Sequence, residues 1–135
     1  MTASHFALLY AFALPVLLLL DGVWLGVVAR GFYQARMGML LGPVVVIAAV
    51  AFYLLYCAGL VFFAAAPAAA KHSVLLACGL GAFFGCLCYA TYDLTALSVI
   101  KGFDPFLALV DITWGACAGA IAAGSAVYLF RLFVS

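Results

Sequence analysis

Four apolar runs, each of about 20 residues or more, account for nearly all of this 135-residue chain. They cover about residues 6–29, 43–65, 73–100 and 106–130. Each is long enough to cross a hydrocarbon core of about 30 Å as a helix. A segment inside lipid must satisfy its backbone hydrogen bonds internally, so single runs of this length fold as helices. Charged residues make up 7% of the chain and hydrophobic ones 72%, whereas a soluble domain carries roughly 25% charge. The expected fold is all-α: one integral membrane domain, a multi-pass four-helix bundle with short connections, and the lipid bilayer as its solvent. A net charge of +1 supplies no basic surface, and no nucleic-acid-binding module is present, which excludes nucleic acid as a partner.

The connections are brief. The first run contains Pro15, which a membrane helix tolerates as a kink. No positive stretch precedes this run and no small-residue cleavage site follows, so it reads as a retained helix rather than a signal peptide. Arg30, Phe32, Tyr33, Gln34 and Arg36 suggest a short interfacial segment at headgroup level. Gly42-Pro43 marks the next helix start. Pro67 with Lys71-His72 is expected to make the second turn, and Lys101-Gly102-Phe103-Asp104-Pro105 the third. Asp104 there needs only solvent. Gly81-x-x-x-Gly85 and Gly115-x-x-x-Gly119 offer small-residue surfaces for close helix crossings. Both termini fall on one side, and Arg30, Arg36 and Lys101 against Lys71 and Arg131 tilt that side outward by a single charge.

The five cysteines all fall in apolar runs, so they read as small buried hydrophobes rather than a disulfide framework. Cys86 and Cys88 point about 200° apart on a helix. His5 and His72 sit at segment ends without a second ligand. Neither a metal site nor a cofactor is expected.

Against this background the acids stand out. The stretch Thr91-Tyr92-Asp93-Leu94-Thr95 places a carboxylate inside a spanning helix, and Asp21 and Asp111 occupy comparable surroundings. An ionisable group at such depth is by default a functional-site candidate. Asp21 lies nine residues before Arg30 and Asp93 eight before Lys101, about 13 and 12 Å from those ends at helical rise. Asp111 lies six residues after Pro105, about 9 Å in, and Tyr53 reaches about 15 Å from the same face. The four helices thus each bring one polar group to a similar layer.

Local spacing adds neighbours. Asp21-x-x-Trp24 and Asp111-x-x-Trp114 set carboxylate and indole on one helix face. Tyr89 lies one turn before Asp93, so its hydroxyl is placed to bond that carboxylate, as are Thr91 and Thr113 from elsewhere. The candidate ligand-binding set is Asp21, Trp24, Tyr53, Tyr89, Asp93, Thr95, Asp111 and Trp114. Asp93, Asp21 and Asp111 are the candidates for any catalytic role. Three acids in one dry layer cannot all be ionised without cations, so at least one is expected to carry a proton near neutral pH.

Three function classes fit. The first is a binder or carrier of a small cation, proton or small solute. With only four helices, a carrier implies a homo-oligomer. The second is a membrane enzyme acting on a lipid or apolar small molecule by carboxylate acid–base chemistry. No Ser–His or Cys–His pair is visible, which restricts such chemistry to proton transfer, isomerisation or hydration. The third is an accessory subunit whose aspartates only fix helix register through interhelical hydrogen bonds.

Several blocks also resemble one family in order. Asp21-Gly22-Val23-Trp24-Leu25-Gly26-Val27-Val28-Ala29-Arg30 with Phe32-Tyr33, then Tyr53-Leu54-Leu55-Tyr56, Tyr89-Ala90-Thr91-Tyr92-Asp93-Leu94-Thr95 and Asp111-Ile112-Thr113-Trp114-Gly115 are similar to domain-of-unknown-function family 2177, predicted bacterial membrane proteins. The resemblance implies a small multi-pass protein of the bacterial inner membrane and no particular substrate. This chain has Ala96 where the family pattern places Asn after Asp-Leu-Thr, so an amide is missing at that position.

Overall fold

Thr2 starts the first helix by accepting the His5 N–H on its side chain at 3.3 Å, which satisfies one of the donors that a helix start leaves free. The computed structural model describes residues 2–24 and 46–134. Within them, α1 is Ala3–Val23, α2 is Val46–Ala70, α3 is Val74–Val99 and α4 is Pro105–Val134. All four are long and apolar enough to span a membrane, and the described residues form no strand. The end of the first run, the Arg30–Arg36 interfacial segment and the Gly42-Pro43 helix start lie outside the described residues.

α1 runs through Pro15 without a break, as a membrane helix allows. One local expectation changes. Pro67 lies inside α2 rather than in the turn after it. A wider π turn at Val61–Ala65 comes just before, and Pro67 then occupies an early position of the resumed α turns, where its missing N–H is tolerated. The chain instead reverses at Lys71–Ser73. His72 takes the left-handed backbone conformation, with φ 53°. Ser73 then caps α3 by accepting the Leu76 N–H at 3.0 Å.

Gly102 makes the next reversal at φ 80°. Asp104 has a role that its position in a polar turn did not suggest. Its Oδ1 accepts the Phe106 N–H at 2.9 Å and caps α4, with Pro105 as the first helical residue.

Large apolar side chains point outward on every helix. Ile47 and Leu75 are each 84% exposed, a surface that would aggregate in water but suits hydrocarbon. Inside, the half of the bundle nearer the termini is filled by Leu9, Ala13, Leu17, Leu60, Val61, Ala122 and Val127. α3 and α4 form the most extensively packed pair. Their two glycine pairs meet each other in antiparallel register. A Cβ at Gly81 would strike the Gly119 carbonyl, and one at Gly85 the Gly115 carbonyl. The backbones approach this closely because neither side carries a side chain there.

Candidate functional site

The buried face of α1 repeats every fourth residue through Leu9, Ala13, Leu17 and Asp21. Asp21 therefore continues the core stripe, and its carboxylate, 4% exposed, points into the bundle. Donors from other helices meet it there. Trp114 of α4 donates its indole N–H to Oδ1 at 2.9 Å. Tyr89 of α3 donates its hydroxyl to Oδ2 at a longer 3.5 Å. The Tyr53 hydroxyl of α2 approaches the same carboxylate. One side chain from each of the other three helices converges on Asp21.

α3 shows the same periodicity, with Ala77, Gly81, Gly85 and Asp93 buried and Tyr89 in register between them. The Tyr89 ring occupies the space that a Gly115 side chain would fill. The glycine crossing thus brings Tyr89 across to Asp21. Asp93 is 1% exposed, and its Oδ2 is buried without a hydrogen-bond donor. Its carboxyl meets that of Asp111 side chain to side chain. Two carboxyls in that arrangement hydrogen-bond only if one of them holds a proton.

A cavity of about 340 Å³ opens beside these groups. Asp21, Trp24, Phe52, Tyr53, Cys88, Tyr89, Tyr92, Asp111 and Trp114 line it, so all four helices contribute. Trp24 and Trp114 stack with ring centroids 4.6 Å apart and planes 6° from parallel. Among the described residues, the wall holds no Lys, Arg or His. Among the described residues, no group of three or more His, Cys, Asp or Glu side chains is placed to hold a metal ion. Just behind the wall, the Tyr56 hydroxyl is buried without a partner, its ring edge-on to Tyr89 at 6.2 Å.

Six of the eight expected ligand-binding residues (Asp21, Trp24, Tyr53, Tyr89, Asp111 and Trp114) line this one cavity. Asp93 stands behind Asp111 and does not reach the wall. Thr95 is exposed on the outer side of α3, about 200° around the helix from Asp93. The partners also differ from those that local spacing suggested. Tyr89 bonds Asp21 rather than Asp93, and Trp114 bonds Asp21 of the other Asp-x-x-Trp segment. Thr91 and Thr113 return their hydroxyls to Leu87 and Leu109 carbonyls on their own helices. Phe52, Cys88 and Tyr92 are wall residues that composition alone left as ordinary hydrophobes. The spacing of Cys88, Tyr89 and Tyr92 along one helix face was the available signal.

A family model described as a predicted membrane protein matches residues 6–128. The chain belongs to the DUF2177 family. No curated protein and no solved structure matches it. The DUF2177 match includes every residue of the cavity wall. Ala96 is 4% exposed and packs with Phe103, Leu107 and Ala108 in a small apolar cluster at the α3–α4 turn.

Proposed function

We propose that this multi-pass membrane protein binds a small solute in the four-helix cavity and carries it across the bacterial inner membrane as part of a homo-oligomer. The observation that carries this reading is Asp21, a buried carboxylate held by donors from other helices on the wall of an open cavity. Hydrogen bonds that serve only to fix helix register need no such space beside them. The Asp93–Asp111 contact supplies the second half of the reading. A cation beside Asp111 and the proton shared by the pair compete for the same negative charge, which couples solute entry to proton release.

The test is flux. The full chain is reconstituted in vesicles with a trapped pH dye, and Na⁺, K⁺ or tetramethylammonium is added outside under an imposed pH gradient. Protein-dependent proton movement lost in Asp93→Asn supports the carrier. A membrane enzyme is the second reading, favoured by the same acid pair as a proton donor and acceptor. It requires that deleting the protein change the lipid extract, with wild type but not Asp93→Asn restoring it. If Asp21→Asn, Asp93→Asn and Asp111→Asn all fold and restore function fully, only a scaffold role survives.

A further inference from the structure

We infer that the cavity takes a small organic cation, a quaternary ammonium or an alkylated amine, in preference to a bare metal ion or a neutral molecule. This deepens the solute-binding reading above and rests on it. Six of the nine described wall residues are aromatic, and the only formally charged groups among them are carboxylates. Among the described wall residues no basic side chain is present to neutralise an anion. A cavity of about 340 Å³ is at the small end of ligand pockets and far larger than a dehydrated metal ion needs. A metal ion also requires several ligands converging on one point, which the described carboxylates do not provide.

An alkylated ammonium has different needs. It is weakly hydrated, spreads its charge over methyl or methylene groups, and is held by the faces of aromatic rings with a negative charge nearby. The wall offers both features. Each oxygen of Asp21 already accepts a ring-borne donor, Trp114 on Oδ1 and Tyr89 on Oδ2. A cation without N–H donors still gains the negative charge there. The Trp114 N–H pointing into a carboxylate also polarises the indole and makes its face more negative toward the cavity.

The chain has two tryptophans, and both line this cavity, so intrinsic fluorescence reports on its occupancy. Purified full-length protein is titrated at constant ionic strength with tetramethylammonium, choline, 3,3-dimethylbutan-1-ol (the neutral carbon isostere of choline) and NaCl. The expected result is a saturable change with both ammonium ions and one at least about tenfold weaker with the isostere and with Na⁺. Tyr92→Leu, which removes one ring and touches neither Asp21 hydrogen bond, is expected to weaken tetramethylammonium binding by about three- to tenfold. Equal binding of choline and its isostere overturns the cationic class and leaves solute binding standing, as does saturation by Na⁺ alone. No saturable response to any of the four overturns both.

Discussion

The indole N–H of Trp114 meets Oδ1 of Asp21 at 2.9 Å and joins the fourth helix to the first across 93 positions of sequence. A hydrogen bond to a buried carboxylate is among the stronger kind, although interhelical bonds in membranes average lower than in water. Trp114→Phe keeps an aromatic ring and removes the donor. It is expected to lower stability by about 1–2 kcal/mol, measured by reversible unfolding in detergent or bilayer. A loss below the error of that measurement would mean that Asp21 is held by other donors.

The glycine crossing gives a matched pair. A Cβ at Gly115 falls within the Tyr89 ring, whereas one at Gly79 meets nothing within 4 Å. Gly115→Ala is expected to destabilise by about 1–3 kcal/mol through overpacking and to move Tyr89 away from Asp21. Gly79→Ala is expected to be neutral or to stabilise by about 0.4–1 kcal/mol, since it only restricts the unfolded chain. Equal effects in the two variants would contradict the close α3–α4 contact.

Tyr56 and Tyr89 touch edge to face and differ in one respect: the Tyr89 hydroxyl reaches Asp21, whereas that of Tyr56 is buried without a partner. Tyr56→Phe is expected to be neutral or stabilising by up to about 1 kcal/mol, because a desolvated hydroxyl with no bond is a net cost. Tyr89→Phe is expected to destabilise. A loss in Tyr56→Phe as large as that in Tyr89→Phe would place a bonded water or ligand on the Tyr56 hydroxyl.

Much of this fold was legible from apolar run length alone, because lipid allows a single chain few other solutions. The shared layer of Asp21, Asp111 and Tyr53 was legible too, since helical rise and alternating direction fix depth. Rotation about each helix axis was not. Which way Thr95 faces, or that Trp114 reaches past its own Asp111 to Asp21, depends on how neighbouring helices are turned, and uniformly apolar helices carry little periodic signal of that. The signal that did exist lay in the four-residue stripes ending in Asp21 and Asp93, where small or core residues mark the inward face. Pro67 was misplaced because a π turn is invisible in composition.

The Asp93–Asp111 contact needs a proton to exist as a hydrogen bond. Infrared spectra of the wild type at neutral pH are expected to show a protonated carboxyl band, which Asp93→Asn and Asp111→Asn each remove. Asp93→Asn is expected to retain the fold, because an amide reproduces the donor that the shared proton supplies. Spectra in which every carboxyl is ionised would contradict the pairing.

The most direct measurement is an experimental density map of the protein in lipid with tetramethylammonium present. The account predicts compact non-protein density in the space bounded by Tyr92, Trp114 and Asp21, with Trp24 and Trp114 stacked beside it. Side chains closing that space, or Asp21 or Asp111 turned toward the lipid, would contradict it.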